Sequence, residues 1–157
     1  MALKLSTGLV NSILDTNCFK TLMGHGILYL YSGLQPATAD AIETAGSVAL
    51  LKVTLASGAF TSGVSTNGIN WDDAVLNVIS KAAAETWSGV GIADGTAGWF
   101  RFYANTVVLG ASTSAVRFDG RISSVGGGGE IELSSTTIAT GATTTITAAS
   151  FTIPLSA

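Results

Sequence analysis

The sequence predicts a mainly β fold, a single antiparallel β-sandwich or barrel-like domain with a short N-terminal helix. Three observations carry this expectation. After Gly26 the apolar residues fall in short runs or strict alternation, not at helical spacing. The runs are rich in aromatic and β-branched residues. Clusters of Gly, Asn, Asp and Ser interrupt them at the spacing of sandwich and barrel turns. The 157 residues suit one domain. With no repeat of fixed period and no linker composition, the expected division is residues 1–25 as a helix or arm and 26–157 as a β-rich body.

The helix is expected over Ser6 to Met23. Leu9, Val10, Ile13, Leu14 and Cys18 fall near helical spacing, and Phe19 and Leu22 extend the face. Ser6 is placed to cap its start, and Gly24 and Gly26 to stop it. Such a helix docks on its own sheet or, as an arm, on a neighbouring subunit. The strands begin with Ile27 to Tyr31, an apolar run that stops at Ser32-Gly33, and Gln35 to Asp40 reads as a polar turn or a single helical turn. Ser47 to Leu55 is a second strand. Phe60 to Trp71 holds short extended pieces around Asn67-Gly68, a hairpin signal. Val75 to Ile79 and Thr86 to Ile92 come next, and Ala97 to Tyr103 is the strongest strand. In Ala115 to Ile122, period two sets Val116, Phe118 and Gly120 on one face and Arg117, Asp119 and Arg121 on the other. Glu130 to Leu133 alternates again after the Gly126–Gly129 run. The Thr-rich tail, Thr143 to Ile153, favours strand because Thr is β-branched. Seven to nine strands are expected.

Composition limits the function. Charged residues make up 11 % of the chain, against about 25 % in an ordinary globular protein. The surface is therefore clothed in Ser, Thr, Gly and Ala, or buried against other subunits. The seven cations are scattered and the net charge is −3, so no basic stripe exists to displace counterions from nucleic acid. Met1 to Ser6 makes a poor start to a signal peptide, since Thr7, Asn11 and Asp15 interrupt the apolar stretch. Leu133 to Ala157 is uncharged but full of Thr and Ser, with Gly141 and Pro154 inside, which does not suit a membrane helix. Cys18 is alone, so a reducing compartment during folding is expected.

The candidates for chemistry each lack a partner. Cys18 and His25 are seven apart around a helix end, yet no third group is placed to orient His25 as a base. Asp72-Asp73 and the pair Glu130 and Glu132 offer oxygen ligands for a hard cation, without EF-hand spacing. Gly89 to Gly95 reads G-x-G-x-x-x-G but leads into strand where a dinucleotide fold needs a helix. Gly126–Gly129 is followed by Glu130, not by the Lys-Ser/Thr of a P-loop. Trp71, Trp87, Trp99, Phe100, Phe102 and Tyr103 suggest either a stacking platform for sugar or single strands, or core plus interface. On a strand Trp99, Arg101 and Tyr103 share one face, and these types are enriched at protein interfaces, so core plus interface is the expectation. The reading is of a protein that is not an enzyme, with no catalytic, cofactor-binding or metal residue.

Several stretches together resemble small virion structural proteins of tailed bacteriophages. They are Leu28-Tyr29-Leu30-Tyr31-Ser32-Gly33 with Gln35-Pro36-Ala37 and Asp40-Ala41, then Gly95 to Tyr103, Arg117 to Ile122, Gly129 to Leu133, and the tail ending Phe151-Thr152-Ile153. The resemblance implies a part of the particle, made in the host bacterial cytoplasm and located in the virion, in capsid or tail. Within that class a capsid decoration (cement) protein is expected. Its partners would be other phage structural proteins, first the major capsid protein, and further copies of itself. A tail, collar or baseplate component is the second choice, and a carbohydrate- or receptor-binding module the third.

Overall fold

The change of period at Gly26 marks a structural boundary. A computed structural model describes residues 3–152. In chain order its elements are β1 (Lys4–Leu5), α1 (Thr7–Asp15), α2 (Phe19–Leu22), β2 (Ile27–Tyr31), β3 (Ala49–Leu55), β4 (Val78–Ser80), β5 (Trp87–Val90), β6 (Gly95–Thr96), β7 (Trp99–Tyr103), β8 (Arg117–Ser124), β9 (Ile131–Leu133), β10 (Thr137–Ile138), β11 (Thr143–Thr145) and β12 (Ala148–Thr152). The fold is mainly β, as the alternation predicts. The expected end of the tail strand, Ile153, lies outside the described residues.

Ten strands form one sheet in the order β11-β5-β3-β2-β7-β8-β9-β12-β4, with β1 paired to β8 beside this path, and β6 pairs with β10 separately. The path explains the shape. β11 lies at one end and β12 next to the other, yet only Ile146 and Thr147 separate them in sequence. Three Cα steps span at most about 11 Å, so the sheet has to curl back on itself. It does so as a half-barrel, and Ile146 donates its N–H to the Trp87 carbonyl at 2.8 Å as the chain crosses between the ends.

Register fills the inner face. Val53, Leu28, Phe102, Phe118 and Leu5 stand opposite one another across β3, β2, β7, β8 and β1. Phe102 and Phe118 stack with centroids 5.4 Å apart, and Trp71, Trp87, Phe19 and Phe151 close round them. One contiguous core runs from Leu9 to Phe151.

Four expectations need correction. The helix from Ser6 to Met23 is two helices. Ser6 caps the first through its hydroxyl, which accepts the Leu9 N–H at 3.1 Å. Asp15, Thr16 and Asn17 are weak helix formers whose side chains compete for the backbone, and the N–H groups of Thr16 and Asn17 both fold back onto the Ser12 carbonyl. The break turns Phe19 into the core and leaves Cys18 and Leu14 exposed. Both helices pack on the chain's own sheet through Leu9 and Phe19, which is the first of the two expected dockings. Second, residues 60–71 form no ladder. Asn67 turns the chain at φ +60°, but the flanking contacts are isolated bridges, Gly26 to Ile69 and Trp71 to Lys81. Third, β9 runs parallel to β8 in an otherwise antiparallel sheet. Parallel neighbours ordinarily need a crossover of a dozen or more residues. Here residues 125–130 suffice, because Gly126 and Gly128 adopt φ of +82° and +73° and fold the loop tightly. Fourth, the expected seven to nine strands become twelve among the described residues, the surplus being pieces of two or three residues.

Gly26 sits just before β2, beside the end of its neighbour β7. A Cβ there would lie 2.3 Å from the Phe102 ring and 2.4 Å from the Tyr103 carbonyl oxygen. Gly26→Ala is expected to cost about 1–3 kcal/mol in urea unfolding; a loss under about 0.5 kcal/mol would contradict this close approach.

Candidate functional site

The face opposite the core carries the chain's unusual chemistry. Lys52, Tyr29, Arg101, Asp119 and Lys4 occupy one register row across β3, β2, β7, β8 and β1. Tyr31, Trp99 and Arg121 form the row on one side, and Ile27, Tyr103 and Arg117 the row on the other. Alternation in β8 places Arg117, Asp119 and Arg121 together, as expected. The environment differs from the expectation of an interface: Arg101, Arg117 and Asp119 are 0 % exposed, and Trp99 and Tyr103 are buried with them.

The cover comes from the chain itself. Residues 32–48 cross this face as a strap between β2 and β3. Arg101 donates from Nε and Nη2 to the two Asp119 oxygens at 2.7 and 2.8 Å, and from Nη1 to Glu43 of the strap at 3.1 Å. The Tyr103 hydroxyl donates to the same Glu43 oxygen at 3.2 Å. Arg117 meets no carboxylate among the described residues. Its guanidinium donates to the carbonyls of Ala39, Asp40 and Val108, binding the strap to the segment between β7 and β8. Lys4 donates to the Pro36 carbonyl, and the Asp40 carboxylate accepts the Thr7 N–H and hydroxyl at the start of α1. Trp99 stacks on Tyr31 at 4.4 Å and donates its indole N–H to the Ser32 carbonyl.

Titration follows burial. Burial pushes Asp119 above the ordinary carboxylate range, against the pull of Arg101 and Arg117. Burial opposes the Arg101 charge, but its bonds to Asp119 outweigh this and its pKa rises. Arg117, buried beside Arg101 without a carboxylate of its own, is lowered. Burial lifts the Tyr103 phenol to about 12.

The remaining candidates are scattered. Cys18 is exposed and its thiol is lowered by the Thr21 hydroxyl 3.3 Å away. His25, also exposed, gives its backbone N–H to Asn70, and no bond joins it to Cys18 among the described residues. Asp72 accepts the Ala83 N–H and Asp73 pairs with Lys20. Glu130 accepts the Arg121 backbone N–H and Glu132 that of Gly128, so both brace the tight β8–β9 loop. No group of three or more His, Cys, Asp or Glu able to hold a metal occurs among the described residues. Gly89 and Gly91 serve strand packing: a Cβ would fall 2.1 Å from the Lys52 carbonyl oxygen and 2.2 Å from that of Ala139. Trp71, Trp87, Phe100 and Phe102 are core, so no exposed platform is built from the six aromatics. No described helix is long and apolar enough to cross a membrane, which says nothing of strands.

Sequence reasoning missed the hairpin tip between Val75 and Val78. Leu76 and Asn77 both adopt left-handed backbone, at φ +49° and +60°. Such two-residue turns favour Asn and Gly. A bulky residue there is strained by about 1–2 kcal/mol, yet Leu76 is 87 % exposed. The dipeptide Leu-Asn between two valines was the one signal for it. Other exposed large hydrophobics also stand on connecting segments: Leu34, Ile42 and Val48 on the strap, Val108 and Leu109 before β8, and Val125 after it.

No protein-family model matches the chain, and no curated protein or solved structure shows significant similarity to it.

The Arg101–Asp119 pair invites a direct test. Asp119→Ala is expected to cost about 3–5 kcal/mol in urea unfolding, because it leaves Arg101 buried with half its partners gone. Arg101→Met combined with Asp119→Leu is expected to regain most of that loss. Equal losses in the single and double variants would contradict a desolvated pair.

Proposed function

We propose that this chain is a non-catalytic structural protein of a tailed-phage particle, a capsid decoration (cement) protein that seats on the head shell in many copies. The observation that carries this reading is Leu76. An 87 % exposed leucine in strained left-handed backbone costs stability, and strained residues cluster at sites of function.

Three further features support it. Of seventeen charged residues, Arg101, Arg117 and Asp119 are interior, leaving fourteen to coat the surface. A surface so poor in charge suits burial against neighbours. Most of the exposed large hydrophobics sit on connecting segments, the strap among them, with Val10 and Leu14 on α1 and Val90 on β5 as exceptions; many seats on a lattice add modest contacts into firm attachment. The stretches that resemble virion proteins also fall together, on β2, β7, β8, β9 and β12, which are consecutive in the sheet. A tail, collar or baseplate position obeys the same docking logic and differs in copy number. In this reading the partners are the major capsid protein and further copies of the chain.

Leu76→Gly separates docking from folding. It is expected to leave the melting temperature unchanged or raise it by about 2–4 °C by relieving strain. It should also reduce co-sedimentation with undecorated particles by tenfold or more. Undiminished co-sedimentation would count against a docking role for this tip.

A further inference from the structure

One ring away from buried Tyr103, the outer face is open. The Tyr29 ring meets Tyr103 edge-on at 5.1 Å, and on its far side β2, β3, β5 and the turn after β3 enclose a cavity of about 260 Å³. We propose that this cavity binds an anionic sugar unit, a single ring bearing a carboxylate or phosphate, with its charge on Lys52 and its C–H face on Phe60.

The charge sets the class of ligand. The Lys52 ammonium stands 5.0 Å from the Tyr29 ring centroid, a cation–π contact that orients the charge without neutralising it. No carboxylate lines the cavity, and Lys52 has no carboxylate partner among the described residues. An incoming anion completes the arrangement with a charge-assisted bond. A neutral apolar ligand would cover the ammonium and leave it uncompensated.

The other walls suit a hydroxylated ring. Phe60 is half-buried and offers an apolar surface. The Ser57 hydroxyl lines the cavity, is steadied by the buried Ser88 hydroxyl at 2.8 Å, and retains capacity for a ligand hydroxyl. Ser57 is held at the rim by left-handed backbone at Ala56 and Ser57, φ +49° and +59°, and by the Thr54 hydroxyl donating to the Gly58 carbonyl at 2.8 Å. Gly89 keeps one wall bare, since no side chain fits against the Lys52 carbonyl. The volume is below the about 300–1,000 Å³ of drug-sized sites, which limits the occupant to one ring.

The test is an amide NMR titration of the full chain with glucuronic acid, glucose 6-phosphate, glucose and inorganic phosphate. Both acidic sugars are expected to shift the amides of Lys52, Ser57, Phe60 and Gly89 saturably, at about millimolar Kd and at least tenfold tighter than glucose or phosphate alone. Lys52→Gln should abolish the advantage over glucose while Lys52→Arg keeps it, and Phe60→Ala should weaken both acidic sugars, with melting temperatures checked for each variant. Glucose binding as tightly as the acids, phosphate alone binding as tightly as the sugar phosphate, or no saturable shift would each overturn the proposal. Particle attachment is read on the Leu76 variant, so this site and the docking role fail separately.

Discussion

A charged pair in the middle of a sheet dictates how this chain closes. Arg101 and Asp119 face each other on β7 and β8, fully buried, joined by two bonds of 2.7 and 2.8 Å. Taking such ions from water costs several kcal/mol each, which is offset only if every donor and acceptor finds a partner. The strap meets that condition. Glu43 takes the third Arg101 donor, and the carbonyls of Ala39 and Asp40 take those of Arg117. Removing the strap would strand two guanidinium groups, so the sheet and its cover form one cooperative unit.

That arrangement reallocates the molecule's polarity. A sequence already poor in charge places three of its charged groups inside and presents leucines, valines and hydroxyls outside. The inner face is satisfied by the aromatic core and the Arg101–Asp119 part of the outer face by the strap. In the proposed function, contact with other molecules falls to connecting segments, the Leu76 tip above all, and to the open cavity at Tyr29 and Lys52.

Much of the sheet was legible. Alternation in Arg117 to Ile122 and the aromatic density of Trp99 to Tyr103 located β8 and β7 because those signals are local. Ser6 was legible as a cap for the same reason. The two-residue strands β1, β6 and β10 were not, since they exist only through partners far along the chain: Lys4 and Leu5 pair across more than a hundred residues with Asp119 and Phe118. The parallel return of β9 depends on a glycine loop whose direction no periodicity encodes. The hardest feature was burial of the charged face. Period two says which residues share a side, not whether that side is wet. The one hint was that Arg101 and Asp119 are oppositely charged and fall on same-parity faces of neighbouring strands, and recognising it required the register. The cavity was hidden likewise, because Lys52, Ser57, Phe60 and Gly89 meet only after β5 folds onto β3.

Closure of the charged face by the chain's own strap can be read from the arginine Nε–H signals of the isolated monomer. In hydrogen-exchange NMR at neutral pH, the Arg101 and Arg117 Nε–H groups should exchange far more slowly than that of Arg121, whose side chain reaches solvent. Three arginines exchanging alike would mean that the strap does not seal this face and that some other molecule has to.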